Sequence, residues 1–126
     1  MPNKAKSFEE RRGGIKCRDA MDRARHAGAE AIRSSARWHK VRRMAMARSP
    51  ICLDPFGNHS HKTVAAREVH HIIPIEADES LAFTLANLIP LCNSCHRIAD
   101  EMDKRDPNRQ RAIMFIAKKN YFGEMG

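Results

Sequence analysis

The residues with the clearest chemical potential are cysteines and histidines spaced like metal ligands. Cys92 and Cys95 form a Cys-x-x-Cys pair at the predicted junction of a strand and a helix, where a turn brings both sulfurs within reach of one Zn²⁺. A redox Cys-x-x-Cys motif needs a thioredoxin-like βαβ context, and the surrounding sequence does not predict one, so we favour zinc. Cys52 is the natural third ligand of such a site.

The fourth ligand of this zinc site must come from a histidine. A second Cys-x-x-Cys pair would place a cysteine at position 55, but the chain has Pro55 there. His59 and His61 follow Cys52 by seven and nine residues, and imidazole is a good zinc ligand in either position. We favour His59 because the turn predicted around Pro55 folds the chain back just before it. Cys17 lies far upstream and is interpreted as a small buried residue.

A second group of histidines, His70, His71 and His96, stands apart from the zinc ligands. Adjacent residues on a strand face opposite sides, so if His70 faces a cation, His71 faces elsewhere. Histidine pairs on half-buried strands usually have no special role. Here, however, His96 directly follows the Cys-x-x-Cys pair, and the predicted zinc cluster links its helix to the strand. The group is therefore a candidate for a second cation site and for chemistry beside it.

The elements that must position these residues form a short β–loop–β–α unit. Residues 67–75 and 88–92 are β-like, and helices are predicted over 94–104 and 108–120. An acidic turn over 76–79 joins the strands, and Ser80 is predicted to cap a short helix over 81–86. Such a unit buries little apolar surface, so something other than a core must hold it together.

Upstream of this unit, residues 15–48 are predicted to be helical, with Gly28 as the only helix breaker. Trp38, Val41 and Ala45 recur at helical spacing and form one apolar stripe. The helix ends before Pro50, because the residue that precedes a proline is pushed out of the α region. We therefore expect a flexible start over 1–14, a basic helical arm over 15–50, a metal-bound domain over 51–105 and a C-terminal helix over 106–126 that packs on it.

The positive charge of the chain is concentrated in its first 50 residues. The 126 residues carry a formal net charge of +8. Residues 1–50 hold 14 basic and 5 acidic side chains, whereas residues 51–126 hold 9 and 10. A basic excess predicts a polyanionic partner, and its confinement to one end excludes a uniformly basic polymer binder. Because no acid lies between Ala31 and Pro50, we expect phosphate contacts rather than a merely solvated face from Arg33, Arg37, Lys40 and Arg43.

Other classes are excluded by patterning. No stretch approaches the roughly 20 apolar residues of a membrane span. The charged N-terminus has no apolar core behind it, which argues against a secretory signal. We therefore expect a cytoplasmic protein, in which four cysteines are metal ligands or free thiols rather than disulfides.

Together these residues resemble the HNH endonuclease family. The matching elements are Val69-His70-His71-Ile72-Ile73-Pro74, then Asn87-Leu88, then Leu91-Cys92-x-x-Cys95-His96. Asn87 follows His71 by 16 positions and precedes His96 by 9, a spacing similar to the His–Asn–His motif of the family. The resemblance covers about residues 35–100. It is strongest to small HNH proteins of tailed bacteriophages and prophages, which often carry an Arg/Trp helix such as Ala36-Arg37-Trp38.

The resemblance implies an α+β fold: a small ββα-metal finger with a structural zinc site, flanked by N-terminal and C-terminal helices. It implies that His70 and His96 bind a divalent cation such as Mg²⁺ or Mn²⁺ and that His71 is the general base. Asn87 would fix the loop between the strands. Many relatives use two Cys-x-x-Cys pairs, but some phage relatives carry a Cys-x-Asp-Pro-Phe-Gly-x-His pattern. The implied structural zinc ligands are therefore Cys52, His59, Cys92 and Cys95.

The activity implied by the resemblance is hydrolysis of DNA phosphodiester bonds with little sequence specificity. Phage relatives that work with the terminase imply a role in DNA packaging. One alternative is a non-catalytic zinc module that binds DNA or packaging proteins, but such a module would not need His71 or His96. Another is an assembly factor that docks partners through Ile113, Phe115 and Ile116, although these residues are more simply expected to cover the small core. The sequence leaves open whether the substrate is DNA or RNA. It also leaves open whether one strand or both strands are cut.

Overall fold

A computed structural model describes residues 8–60 and 62–123, and for residues 8–18 it describes the backbone alone. In this part of the chain, helices surround one two-stranded antiparallel sheet. The α+β class with a ββα unit and flanking helices is thereby confirmed. The elements are α1 (Phe8–Arg33), α2 (Ala36–Arg48), β1 (Glu68–His71), β2 (Leu88–Leu91), α3 (Asn93–Arg105) and α4 (Pro107–Phe122).

The sheet pairs His70 with Ile89 and His71 with Leu88. Strand β1 is shorter than the predicted 67–75, because the chain turns directly after His71. Pro74 has no N–H for a sheet ladder, and its carbonyl instead accepts hydrogen bonds from the turn that follows, at 2.9 and 3.0 Å. The two histidines therefore lie at the end of a strand, where the loop can reach them.

The N-terminal helical region differs from the prediction in where it breaks. Gly28 lies inside α1, and the break comes at Ser34 and Ser35. Ser35 caps α2, because its side-chain oxygen accepts the N–H of Trp38 at 3.1 Å. Gly28 instead allows a close approach, since a Cβ there would lie 2.7 Å from Glu79 Oε1. Residues 8–14, predicted to be a flexible start, are helical, and residues 1–7 lie outside the described part.

The loop between the strands contains two 3-10 turns, Glu79–Leu81 and Leu85–Asn87, rather than one short helix. The predicted cap Ser80 is wrong. Asp78 caps the first turn by accepting the Ser80 N–H at 3.0 Å, because its carboxylate stands one position before the turn begins. The hydroxyl of Ser80 donates to the same carboxylate.

The described residues form small apolar clusters rather than one large core, as expected for a unit that buries little apolar surface. One contains Ile72, Ile89, Leu91 and Met114 beside the cysteines. A second joins Trp38 and Ala45 of α2 to the sheet, and a third joins Ala29 of α1 to the loop. Helix α4 covers the sheet through Met114, while Phe115 and Ile116 are exposed. None of the described helices combines the length and apolarity needed to cross a bilayer.

Candidate metal centres and active site

Three cysteines and one histidine converge at the start of α3. The ligand atoms of Cys52, His59, Cys92 and Cys95 all lie within 4.8 Å of one another. His59 Nε2 is 3.2 Å from Cys92 Sγ and 3.3 Å from Cys95 Sγ. All three of these cysteines are free and buried. Three sulfurs and one imidazole nitrogen form a donor set that fits tetrahedral zinc. His61 and the side chain of Cys17 lie outside the described residues.

The loop that brings His59 to the cysteines is shaped by Asp54. Its carboxylate accepts the backbone N–H groups of Asn58 at 2.6 Å and His59 at 3.2 Å. Asp54 and Gly57 both have positive φ, 48° and 63°, so the chain reverses tightly between them. On the other side, Cys92 caps α3 and its sulfur accepts the Cys95 N–H at 3.4 Å. Local hydrogen bonds thus preform both halves of the cluster.

Burial makes this cluster costly to charge without a cation. Burial raises the pKa of the Cys52 thiol. Burial also raises the pKa of the Cys95 thiol, and the negative charge of the nearby Cys52 sulfur raises it further. Burial also acts to raise the pKa of Cys92, but hydrogen bonds from the Cys95 N–H and from His59 outweigh it and lower the pKa to about 7. A bound cation would offset the charge of all three thiolates.

A second group of ligand atoms lies between β1 and α3. Atoms of His70, His96 and Asp100 lie within 4.8 Å of one another. His70 Nδ1 is 3.6 Å from Asp100 Oδ1, and His96 Nε2 is 3.7 Å from Asp100 Oδ2. Two imidazoles and one carboxylate suit a divalent cation and leave coordination positions open. The sequence prediction brought His70 and His96 together but missed Asp100, which the i, i+4 spacing from His96 on one helix face would have indicated.

His71 faces away from this group, as expected for its neighbour on a strand. Its ring stacks against Trp38, with centroids 4.6 Å apart and planes at 30°. His71 Nε2 lies 3.0 Å from the carbonyl oxygen of Ala82. Because a carbonyl only accepts, Nε2 carries the hydrogen, and Nδ1 of the neutral ring keeps its lone pair. Burial lowers the pKa of His71 from its ordinary 6.5, which favours the neutral ring.

Asn87 ties together the loop that holds His71. Its Oδ1 accepts the Ile73 N–H at 2.9 Å. Its Nδ2 donates to the Ile73 carbonyl at 3.0 Å and to the Leu81 carbonyl at 3.3 Å. Leu81 directly precedes Ala82, whose carbonyl accepts from His71. Asn87 is almost fully buried, so its amide cross-links the two ends of the loop rather than facing solvent.

His70, His71 and His96 all line one cavity of about 830 Å³. Of the basic residues predicted to contact DNA, Arg33 lines this cavity and pairs with Glu76 at 3.2 Å. Arg37 lies over the ring of Phe83, 4.2 Å from its centroid, while Lys40 and Arg43 are exposed outside the lining. Basic residues that the sequence did not single out also line the cavity; they are Arg25, Arg42, Lys104 and Arg111.

Comparison with known proteins identifies a family and a similar fold. A family model described as HNH endonuclease matches residues 50–100. The fold is similar to the crystal structure of the HNH endonuclease of the deep-sea thermophilic bacteriophage GVE2 with a manganese ion. That similarity has a TM-score of 0.59 and 30% sequence identity, and it covers 66% of this chain and 89% of that chain. A search of curated proteins found no match.

Fold and site together define a small α+β nuclease, an enzyme of the hydrolase class. The chain belongs to the HNH endonuclease family.

Proposed function

We propose that this endonuclease hydrolyses DNA phosphodiester bonds with a divalent cation and with low sequence specificity. The observation that supports this most is that the candidate cation ligands and His71 line one cavity. His70, His96 and Asp100 gather their ligand atoms within 4.8 Å, and His71 lines the same cavity with a fixed tautomer. A cation site beside an oriented neutral histidine suits hydrolysis of a phosphodiester, because the cation would neutralise charge and the histidine would accept a proton.

The proposed ligands of the catalytic cation are His70 and His96, with Asp100 as a third. A divalent cation such as Mg²⁺ or Mn²⁺ would neutralise charge on the phosphate and on the leaving oxygen when bound. The crystal structure of the bacteriophage GVE2 relative contains a manganese ion, which supports Mn²⁺ as the first cation to test. Asp100 is exposed, so the site is open toward solvent and a substrate can approach it.

His71 is proposed to be the general base. Its Nδ1 accepts a proton from the attacking water, while the bond from Nε2 to the Ala82 carbonyl fixes the ring. That carbonyl also stabilises the positive charge that the ring acquires when Nδ1 is protonated. The stacked ring of Trp38 prevents rotation on one side. A base held in this way contributes about 10²–10⁴-fold to the rate. Asn87 acts through the loop that carries Ala82 and is a positioning residue.

The cluster of Cys52, His59, Cys92 and Cys95 is proposed to hold structural zinc. It joins the loop before β1 to the first turn of α3, and its cysteines belong to the same apolar cluster as Ile72 and Ile89. Neither these cysteines nor His59 line the cavity of His70, His71 and His96, so a metal held by them would offer no coordination position to a substrate there. Zinc here would stabilise the fold that places His96, which directly follows Cys95.

Contacts to the DNA backbone are proposed for the predicted Arg33, Arg37, Lys40 and Arg43. The cavity-lining Arg42 and Arg111 extend this set. The Arg111 Nε is buried and has no hydrogen-bond partner among the described residues. A guanidinium group can bind two phosphate oxygens at once, and the Lys40 ammonium binds one as a point charge. These side chains would therefore hold the strand without reading its bases. DNA binding should therefore weaken steeply with salt.

The direct test is nicking of supercoiled plasmid by the purified full chain in Mn²⁺, in Mg²⁺ and in EDTA. We expect nicked circles with either cation and none in EDTA, and no nicking by His96→Ala. Metal analysis of the same sample should find one zinc per chain. DNA binding without nicking in any divalent cation would contradict the proposal and favour the non-catalytic zinc module. Parallel assays on RNA and on linear duplex identify the substrate.

The wider biological role stays a prediction. The 30% sequence identity to the bacteriophage GVE2 endonuclease supports a phage or prophage origin. From that origin and the family resemblance, we propose action on DNA in the host cytoplasm, beside the terminase during packaging. Binding of purified terminase to this chain is the measurement that checks the partner.

A further inference from the structure

Gln110 is a fully buried polar residue outside the region matched by the family model. It lies in the first turns of α4, where Asp106 ends α3 and also caps α4 by accepting the Arg109 N–H at 3.2 Å. Only Asp106 separates the two helices, Pro107 starts α4 without needing a hydrogen-bond donor, and α4 packs against α3. This connection places Gln110 within hydrogen-bond distance of His70 in β1 and of Ile72.

The hydrogen bonds of this side chain determine which way its amide faces. Gln110 Nε2 lies 3.0 Å from the carbonyl oxygen of Ile72 and 3.4 Å from Asp103 Oδ1. Both partners are acceptors in this arrangement, so the amide nitrogen must face them. The amide oxygen, Oε1, therefore faces His70 Nε2, which is 2.8 Å away.

This orientation fixes the tautomer of His70. An amide oxygen cannot donate, so His70 Nε2 must carry the hydrogen and donate it to Gln110. The neutral ring then has its lone pair on Nδ1. Nδ1 is the atom that lies 3.6 Å from Asp100 Oδ1, on the side of the proposed cation ligands. Without Gln110, either ring nitrogen could carry the hydrogen, and part of the population would present N–H to the cation.

We propose that Gln110 is a positioning residue for the cation site, which holds His70 in the tautomer and ring orientation that expose Nδ1 as a ligand. This inference rests on the proposed cation site at His70, His96 and Asp100. Groups that accept the second N–H of a metal-binding histidine typically change metal affinity by about 10–100-fold when they are removed. The same amide also donates to the Ile72 carbonyl, so it clamps the strand residue that follows the histidine pair.

Three variants separate positioning from folding. Gln110→Met keeps the length of the side chain but has no oxygen to accept from His70. Gln110→Glu keeps an accepting oxygen in either protonation state, although its ionised form cannot donate to the Ile72 carbonyl and repels Asp103. Met114→Ala removes a fully buried side chain one turn along α4, in the apolar cluster that contains Ile72 and Ile89, without removing any hydrogen bond of Gln110. All three variants are expected to lower the melting temperature.

Two readouts are measured on the zinc-loaded full chain. Long-range ¹⁵N NMR without divalent cation reports the tautomer of His70, and electron paramagnetic resonance titration reports Mn²⁺ affinity. We expect the Nε2–H tautomer in the wild type, Gln110→Glu and Met114→Ala, and a mixture in Gln110→Met. Manganese should bind about 10–100-fold more weakly to Gln110→Met, and nearly as in the wild type to Met114→Ala.

The outcomes distinguish this inference from the proposed function. If the wild type binds Mn²⁺ and Gln110→Met matches it in tautomer and affinity, Gln110 is structural only and the inference is overturned. An equal loss of affinity in Met114→Ala would overturn it too, because the loss would then follow stability. If the wild type itself shows no Mn²⁺ site that His96→Ala removes, the proposed cation site fails, and the inference fails with it.

Discussion

Replacing Asn87 with alanine should destabilise the enzyme through the loop between the strands. The change removes three hydrogen bonds, from the Ile73 N–H and to the Ile73 and Leu81 carbonyls. Each backbone group left without a partner in a buried place costs about 1–3 kcal/mol. The Leu81 carbonyl keeps the Thr84 N–H as a donor at 3.2 Å, so the Ile73 N–H and the Ile73 carbonyl are the two groups that lose their partner. Ile73 is only half-buried, so water can reach these groups and the lower end applies. The expected loss is about 2 kcal/mol of unfolding free energy, or a melting temperature lower by roughly 8 °C.

The assay is thermal and urea unfolding of the zinc-loaded protein, followed by circular dichroism. Asn120→Ala is the matched control, since Asn120 is exposed on α4 and its loss should change stability by less than about 0.5 kcal/mol. Nicking by Asn87→Ala should also fall when measured well below its melting temperature, because the carbonyl that orients His71 belongs to the loosened loop. Equal melting of Asn87→Ala and Asn120→Ala would refute the proposed role of Asn87 as a cross-link.

Two further predictions concern zinc and a buried lysine. Selective zinc chelation, or Cys92→Ala, should unfold the protein rather than merely inactivate it, because zinc binding supplies folding energy; an unchanged cooperative melting curve would contradict this. Lys118 donates to the carbonyls of Leu85 and Ala86, and burial lowers its pKa from 10.5 to about 8. Between these two pKa values the unfolded chain still binds a proton on Lys118 that the folded chain has released. The unfolding free energy of the wild type should therefore rise with pH relative to that of Lys118→Met. Equal slopes of unfolding free energy against pH for the two proteins between pH 8 and 10.5 would count against this prediction.

The local features of the site were predictable from the sequence. The Cys-x-x-Cys pair lies at a single helix start, and the roles expected for His71, Asn87 and His96 follow from the resemblance of their spacing to the HNH motif. The structure brings the predicted zinc ligands together, and it also brings His70 to His96. Adjacent residues on a strand had to differ in role, and His70 and His71 do contact different neighbours.

Features that depend on packing between distant elements were missed. Gln110 reaches His70 only because α4 folds back on α3, and no spacing near Gln110 indicates this. The break of the N-terminal region at Ser34 and Ser35, rather than at Gly28, depends on a serine cap and on the close approach of Glu79 to α1. A glycine in a helical pattern marks either a break or a contact, and only the fold distinguishes them.

The proposed mechanism depends most on His71 as the general base, and one measurement tests this role directly. The single-turnover rate of plasmid nicking by His71→Ala is compared with that of the wild type at saturating Mn²⁺, with Mn²⁺ binding and melting temperature measured on the same samples. We expect a rate lower by about 10²–10⁴-fold with cation binding and folding retained. Nicking by His71→Ala at the wild-type rate would contradict the role of His71 as the general base.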